Sequence, residues 1–241
     1  MNSLEHLAQF KVALKQHKVS DAARKTLKET QLVLLLGPTS SGRNTIINKL
    51  VKTGKYHVII SDTTRRPREN NGVMEQHGVE YWFRTEEDML ADLRNGQFLE
   101  AEIIHGQQVS GISIRELQRA NAEQKVAIDE VDILGVHNVI EAKPDTLAIL
   151  VLPPNYDQWQ KRLAKRGHMN AEEQRRRMHT AIRIFEDALA QSFYTFVIND
   201  HLITTVEIID RFVHGETISE QAAAKKLARE LLEKTKETYM L

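Results

Sequence analysis

The fold of this chain is decided by residues 31–44, whose sequence is QLVLLLGPTSSGRN. The first part of this stretch is largely apolar and stops at Gly37 and Pro38. A short apolar run closed by turn residues is typical of a strand that is buried on both faces. After Gly42 the apolar residues change to helical spacing, at Ile46, Ile47, Leu50 and Val51. The sequence therefore predicts a strand, a tight loop and a helix in succession.

The loop at residues 37–44 has the frame of a Walker A phosphate loop, G-x-x-x-x-G-K-[ST]. Glycine is needed where side chains would keep backbone N–H groups away from a phosphate, and the N-terminus of the following helix favours an anion. A plain strand–turn–helix junction is the alternative interpretation. We expect nucleotide phosphates to bind at Gly37, Pro38, Thr39, Ser40, Ser41, Gly42, Arg43, Asn44 and Thr45.

Two side chains depart from the Walker A pattern. Arg43 stands where a lysine would touch the β- and γ-phosphates, and Asn44 stands where a Ser or Thr hydroxyl would bind magnesium. Arginine keeps the positive charge, but its planar fork is bulkier than an ammonium group. Asn44 offers a carbonyl oxygen as a ligand for Mg²⁺, and Thr45 offers a hydroxyl one position later. The loop thus predicts phosphate binding and leaves the efficiency of catalysis open.

Further strands alternate with helical stretches along the chain. Strands are predicted at residues 58–60, within 124–129, at 146–151 and at 194–198, with a helix at 134–140. This alternation predicts an α/β fold in which helices cover both faces of a parallel sheet. Residues 79–109 have a different pattern, which indicates a small α+β insertion over the carboxyl edge of the sheet, where ligands of open α/β sheets bind.

Composition excludes several classes of protein. The chain has 241 residues, a formal net charge of zero and no cysteine. Disulfides, thiolate zinc sites and cysteine nucleophiles are therefore excluded, and no bulk attraction to nucleic acid or to anionic membranes is expected. No apolar run approaches the roughly 18–20 residues that span a bilayer, and the N-terminus lacks a signal-like apolar core. We therefore expect a cytoplasmic protein without nucleic-acid or membrane partners.

The most informative stretch for ligand binding is SDTTRRPR at residues 61–68. It places three guanidinium groups and three hydroxyl groups directly after a predicted strand. Guanidinium groups make bidentate contacts with phosphate, so this stretch predicts a second phosphate site. A solvated basic loop is the alternative.

This stretch resembles the S-x-T-T-R-x-P-R signature of guanylate kinases. Five more segments of the chain resemble other motifs of this family and occur in the same order as in the family. They are GVEYWF at 78–83, QFLE at 97–100, EVDILGV at 130–136, RLAKRG at 162–167 and VIND at 197–200. The resemblance covers about residues 31–212. It implies a P-loop kinase domain at 31–215, with a nucleoside-monophosphate-binding insertion at about 61–113 and a helical lid at about 162–180. Helical extensions at 1–30 and 216–241 are then expected to pack on this domain or on a second copy, giving a homodimer.

The resemblance also implies a role for each matching residue. Ser61, Arg65, Arg68 and Tyr81 would hold the phosphate of the acceptor nucleotide. Glu100 would read guanine by accepting from N1–H and the 2-amino group, with Glu130 as a further substrate-binding residue. Asp132 would lie near magnesium together with Asn44, and Glu130 is a second candidate for a place near the metal or its water shell. A surface acid at Glu100 and a helix cap at Asp132 are the alternatives. The catalytic residues would be Arg43, Asp132, Arg162, Arg166 and Arg177.

The implied reaction moves the γ-phosphoryl group of ATP, with Mg²⁺, to GMP or dGMP. Several departures from the family pattern lie close together, and these leave alternatives open. Besides those at Arg43 and Asn44, the loop 68–81 is longer than usual, a Tyr-Tyr-Gly-Ser/Thr segment is replaced at 108–113, and Glu130 replaces an aspartate. A binding module for a nucleotide or a phosphorylated partner is one alternative, and a kinase with a different acceptor is another.

Overall fold

The computed structural model describes residues 4–70, 72–165 and 170–239. Within them the helices are α1 (Leu7–Gln16), α2 (Asp21–Glu29), α3 (Arg43–Val51), α4 (Glu86–Arg94), α5 (Ile114–Ala122), α6 (Ile133–Ala142), α7 (Tyr156–Lys165), α8 (Ala171–Ala190), α9 (Leu202–Val213) and α10 (Gln221–Tyr239). The strands are β1 (Leu32–Leu36), β2 (Tyr56–Val58), β3 (Asp62–Thr63), β4 (Glu69–Asn70), β5 (Val73–Met74), β6 (Trp82–Phe83), β7 (Phe98–Ile104), β8 (Gln108–Ser113), β9 (Val126–Glu130), β10 (Leu147–Leu152) and β11 (Tyr194–Ile198). None of these helices has the length and apolar character needed to cross a bilayer.

Contacts within the chain divide it into two compact units. The first consists of the described residues within 1–32, 56–127 and 137–145, and the second of those within 33–55, 128–136 and 146–241. The insertion expected at 61–113 falls in the first unit, and the phosphate loop falls in the second.

Five strands form the larger sheet, in the order β11-β10-β1-β9-β2. Strand β1 pairs in parallel with β10, and β10 pairs in parallel with β11, so that Leu35 lies opposite Ile149 and Leu150 opposite Phe196. All five residues of β1 are buried, which explains why this strand is continuously apolar instead of alternating. In the second unit α3 packs on α9 and α8 packs on α10. The predicted α/β fold, a parallel sheet flanked by helices, is confirmed.

A second sheet belongs to the first unit and has the order β6-β3-β8-β7. Strand β3 is parallel to β6 and antiparallel to β8, and β7 is antiparallel to β8. The register between β7 and β8 shifts between Phe98 and Glu100, as at a β-bulge. The mixed pairing matches the α+β character expected of the insertion.

The N-terminal extension is two helices that pack within the first unit. Helix α1 lies against α4 and β7, and α2 lies against α5. Leu4 and Phe10 are buried in one core with Met89, Leu93 and Phe98, and the partly buried Leu7 and Leu14 pack on the same core. The apolar stripe at the N-terminus is therefore covered within the chain itself.

The start of the C-terminal helix differs from the sequence-based expectation. A capping box at residues 217–220 would begin the helix at Thr217, but α10 begins at Gln221. The Gln221 side chain accepts from the Phe196 amide and donates to the Phe196 carbonyl, both at 2.9 Å. Since Phe196 lies on β11, at the edge of the sheet, this amide takes the place of a neighbouring strand. The helix start thus coincides with a tertiary contact, which the local sequence does not reveal.

Candidate functional site

The loop between β1 and α3 is held in a tight curve by close backbone packing. A Cβ at Gly37 would approach the Val151 carbonyl oxygen to 2.5 Å, so only glycine fits there. Gly42 has φ of +102°, and a Cβ on it would run into the side-chain amide of Asn199. That amide donates to the Ser41 carbonyl at 2.7 Å. Both glycines are therefore required by the geometry of the loop.

The loop is also anchored on α7 and contains buried hydroxyl groups. Trp159 is buried, and its Nε1–H donates to the Thr39 carbonyl at 2.8 Å. Ser40 has a positive φ of +66°, an uncommon conformation for a residue other than glycine. The Ser40 and Ser41 hydroxyl oxygens are buried without a hydrogen-bond partner in the protein. Buried polar atoms without partners are rare, so these hydroxyls indicate that a polar ligand completes the loop.

A cleft of about 480 Å³ opens over the loop and the N-terminus of α3. Its walls come from the loop, from the ends of β9 and β11, and from α7. The lining residues are Ser40, Gly42, Arg43, Asn44, Thr45, Glu130, Arg162, Lys165, Asn199, Asp200 and Leu202. Three cations therefore face one cleft at a helix N-terminus, which is an arrangement suited to a polyphosphate.

Arg43 and Glu130 form an ion pair in this cleft. The Arg43 Nη2 atom lies 3.1 Å from Glu130 Oε1, and the two side chains are 16% and 31% exposed. On the opposite side of the loop, Arg162 donates to the Asp200 carbonyl at 3.5 Å. The residue predicted to replace the Walker A lysine is thus in the cleft, with a carboxylate beside it.

Metal binding in the cleft would depend on few protein ligands. No group of three or more His, Cys, Asp or Glu side chains suited to a metal occurs among the residues that the structure describes. Asn44, Thr45 and Glu130, whose side chains carry oxygen atoms, are among the residues that line the cleft. Mg²⁺ commonly keeps several waters and takes one or two protein ligands together with substrate phosphates, so this set fits a magnesium ion that arrives with a nucleotide.

Asp132 has a structural role that the sequence left as an alternative. Its Oδ1 accepts from the Gly135 amide at 2.9 Å, so the side chain caps α6. The role near magnesium implied by the family resemblance remains a prediction for this residue.

The predicted arginines of the lid fall in different places. Arg162 lines the cleft, as described above, and Arg166 lies outside the described residues. On α8, Arg177 Nε donates to Glu173 Oε1 at 2.7 Å, one turn away on the same helix. Arg177 is not among the described residues that line the cleft.

The second predicted phosphate site lies in the first unit and is built around Arg65. Its guanidinium makes a two-pronged contact with Glu75, Nη1 to Oε2 at 2.5 Å and Nη2 to Oε1 at 2.8 Å. This hydrogen bond raises the pKa of Arg65. The guanidinium also lies over the rings of Tyr81 and Phe83, at 4.7 and 5.6 Å from their centres. Arg65 and Tyr81, predicted to act together, are in contact.

The structure does not bring all of the other predicted acceptor-site residues to this pair. Ser61 is half-buried, and its carbonyl accepts from the Trp82 amide at 2.9 Å. Arg68 is exposed, and its backbone amide donates to the same Glu75 carboxylate at 2.8 Å. Glu100 is half-buried on β7 and lines a second cleft of about 570 Å³, together with His17 and Lys18 of the N-terminal extension.

Comparison with known proteins gives the family. The family model described as guanylate kinase matches residues 29–216. A guanylate kinase from Bifidobacterium longum is 34% identical over 156 residues, covering 63% of this chain and 78% of its own. One from Porphyromonas gingivalis is 31% identical over 187 residues, covering 76% and 96%.

The chain belongs to the guanylate kinase family. The crystal structure of the guanylate kinase from Anaplasma phagocytophilum matches its fold, with a TM-score of 0.55 and 20% identity over 88% of this chain and 95% of that one. The chain is thus a guanylate kinase-like phosphotransferase. The family match begins at residue 29, so α1 and most of α2 precede the matched region.

This member of the guanylate kinase family has buried carboxylates behind its acceptor site that sequence reasoning missed. Asp62 is fully buried and accepts from Arg84 at 2.6 Å and from Arg115 at 2.8 Å. Burial raises the pKa of Asp62, and the two arginines oppose this effect. Asp62 is the neighbour of Ser61, so its ion pairs fix the start of the basic stretch. The variable position in the S-x-T-T-R motif gave no signal of this role.

Two further residues were also missed. Glu75 lies in the long loop that was noted only for its length, yet its carboxylate holds the Arg65 guanidinium. Asn199, to which the sequence assigned no role, is buried and supports the phosphate loop through Ser41. A motif search does not connect Asn199 with Ser41, because the two residues are far apart in sequence. It does not connect Glu75 with Arg65 either, because the length of the loop between them varies.

Proposed function

We propose that this chain transfers the γ-phosphoryl group of Mg-ATP to GMP or dGMP, giving ADP and the nucleoside diphosphate. The observation that carries the proposal is the cleft over the phosphate loop. There Ser40 and the N-terminus of α3 share one cleft with the cations of Arg43, Arg162 and Lys165. The family membership of the chain supports the same reaction.

On the donor side, the loop amides and Arg43 would hold the terminal phosphates of ATP. Arg162 and Lys165, from α7, would neutralise charge on the phosphoryl group as it moves. When bound, Mg²⁺ supplies further charge neutralisation between the phosphates. The protein's contribution is positioning and charge stabilisation, with little covalent chemistry.

On the acceptor side, Arg65 and Tyr81 would hold the phosphate of the monophosphate, with Glu75 setting the orientation of the guanidinium. Guanine recognition would depend on Glu100, because adenine lacks the paired donor edge that a carboxylate can read. Ser110 is a weak substitute for the missing family hydroxyl. Its Oγ donates to Thr63 Oγ1 at 2.8 Å.

A kinase with a different acceptor is the second candidate, and the engaged Ser110 hydroxyl favours it. The binding-module alternative finds no support in the relatives described above, which are named guanylate kinases.

The test is ADP formation from Mg-ATP with GMP, dGMP, AMP, CMP and UMP offered separately. Turnover confined to GMP and dGMP is expected. Turnover with AMP, CMP or UMP that equals the turnover with GMP would refute guanine specificity and support a different acceptor. No turnover with any acceptor, from folded protein, would refute the transfer reaction.

The acceptor site is tested by substitution of its arginines. Arg65→Ala and Arg68→Ala are expected to abolish GMP binding measured by calorimetry, since phosphate contacts to guanidinium groups are charge-assisted. Arg66→Ala is the matched control, because Arg66 is exposed and offers Arg65 only its backbone carbonyl. Unchanged GMP affinity in Arg65→Ala would remove Arg65 from the site.

A further inference from the structure

Two of the residues at which this chain departs from the family motifs, Arg43 and Glu130, are in contact. Arg43 replaces the lysine of the loop, and Glu130 replaces an aspartate at the end of β9. Their side chains meet at 3.1 Å inside the cleft. Neither substitution alone predicts the other, so their contact is information that only the tertiary structure provides.

The backbone of both residues belongs to regular secondary structure. Arg43 is the first residue of α3, directly after Gly42, and Glu130 is the last residue of β9. The ends of β9 and β1 lie side by side, since the Val131 amide donates to the Leu35 carbonyl at 3.3 Å. The backbone separation between the two positions is therefore set by the sheet and the loop, and the side chains must span it.

The sizes of the two side chains match. A glutamate carries its carboxylate one methylene further from the backbone than an aspartate does. A guanidinium is planar and offers five N–H donors in a fixed fork, whereas an ammonium group is a compact charge on a flexible stem. A carboxylate that holds one side of the fork therefore sets the direction of the whole guanidinium, which it cannot do for an ammonium.

Charge gives a second reason for the pairing. Glu130 is partly buried in a cleft that must accept an anionic nucleotide, so an unpaired carboxylate there would repel the phosphates. Paired with Arg43, it adds no net charge to the cleft and limits the motion of the cation. The other charged residues that line the cleft are Arg162, Lys165 and Asp200.

We propose that Glu130 is a positioning residue for Arg43, and that Arg43 and Glu130 form an interdependent unit that binds the donor phosphates in place of a lysine–aspartate combination. This inference deepens the proposed function and rests on it for the identity of the ligand. Of the two roles that the family resemblance implied for Glu130, near magnesium and at the acceptor substrate, it favours the donor side and names Arg43 as the group that Glu130 positions.

The test is a double-mutant cycle in the full-length protein with Arg43→Lys, Glu130→Asp and the combined variant. The first readout is the dissociation constant for ADP by calorimetry, which requires no transfer. Each single change is expected to weaken ADP binding about tenfold, equivalent to about 1.4 kcal/mol. The combined variant is expected within about threefold of the wild type, because neighbouring groups that act together are non-additive.

A second readout separates positioning from general damage. Glu130→Gln is expected to raise the KM for ATP about tenfold and to change the KM for GMP less than twofold. Glu216→Gln is the matched control: Glu216 pairs with Arg211 on the surface, at 3.6 Å, and its loss is expected to leave both constants unchanged. Thermal melts of every variant establish that it is folded.

The outcomes distinguish this inference from the proposed function. Additive effects of Arg43→Lys and Glu130→Asp on ADP binding would overturn the interdependence. A rise in the KM for GMP alone in Glu130→Gln would return Glu130 to the acceptor side. Coupling in ADP binding together with no transfer to any acceptor would support the pair and refute the proposed reaction.

Discussion

The structure predicts that Glu116→Gln causes a large and measurable loss of folding stability. Glu116 lies on α5 and is fully buried. Its carboxylate accepts from Arg119 Nη1 at 2.9 Å, from Trp82 Nε1 and the Ile60 amide at 3.0 Å each, and meets His57 Nε2 at 3.2 Å. It therefore ties two other segments of the first unit, residues 57–60 and Trp82 on β6, to α5.

The magnitude follows from the ionisation of this carboxylate. Burial acts to raise the pKa of Glu116, but the hydrogen bonds from His57, Ile60, Arg119 and Trp82 outweigh it and lower the pKa from 4.5 to about 2. At about 1.4 kcal/mol per pKa unit, the charged form is worth roughly 3 kcal/mol to the folded state. A glutamine would also turn an NH₂ group toward donors. We expect the free energy of unfolding to fall by about 2–4 kcal/mol.

The contributions of Glu116 and His57 to stability depend on pH in opposite directions. Because the pKa of Glu116 is lowered on folding, its contribution is present above pH 4.5 and is lost as pH falls toward 2. The hydrogen bond to Glu116 raises the pKa of His57 above 6.5, so the contribution of His57 is present below pH 6.5 and is lost as pH rises through the raised value. The difference between wild type and Glu116→Gln is therefore expected to be largest between about pH 5 and 6.5.

The assay is urea unfolding followed by circular dichroism at a series of pH values. Glu123→Gln is the control, because Glu123 contacts the same histidine, at 3.4 Å, from an exposed position. It is expected to cost less than about 1 kcal/mol. An equal loss in the two variants, or a Glu116→Gln loss that does not depend on pH, would refute the reasoning.

Three further predictions concern the two sites and the N-terminal extension. Glu75→Gln is expected to weaken GMP binding about tenfold, because a neutral amide orients Arg65 less firmly; calorimetry measures it, and unchanged affinity would contradict it. Gly42→Ala is expected to abolish ADP binding, since alanine strains a residue at φ +102° by about 1–2 kcal/mol and its Cβ collides with Asn199; a normal dissociation constant would show that the loop adapts. His17→Ala is expected to cost about 1–3 kcal/mol in urea unfolding, because the ring contacts the carbonyls of α4 and β7 at 3.1 and 2.8 Å, and a loss below 0.5 kcal/mol would show that these contacts are unimportant.

Local sequence was sufficient for the parts of the fold with strong periodicity. The strand, loop and helix around residues 31–51 are where the apolar pattern predicts them, because buried parallel strands are continuously apolar and the glycines mark the turn. The strand predicted at 194–198 matches β11, and the region predicted as an α+β insertion contains α4, β7 and part of β8. The strand predicted at 58–60 ends earlier, at Val58, because strand boundaries depend on pairing with neighbours.

Contacts between distant residues lay beyond the sequence. Three carboxylates of the first unit, Asp62, Glu75 and Glu116, pair with arginines. They occur in a variable motif position, in a long loop and on a helix, and no local pattern marks a buried acid. Their burial costs free energy that only the arginines and amides brought close by folding can offset.

The sequence by itself determined the fold class, the phosphate loop and the basic stretch at 61–68, because backbone hydrogen bonding and glycine geometry are local constraints. The tertiary structure decided which charged groups meet. It placed Glu130 beside Arg43, Glu75 beside Arg65 and Asp132 at a helix cap. Charge pairing depends on distances of a few ångströms between segments that are far apart in the chain, and such distances exist only in the folded molecule.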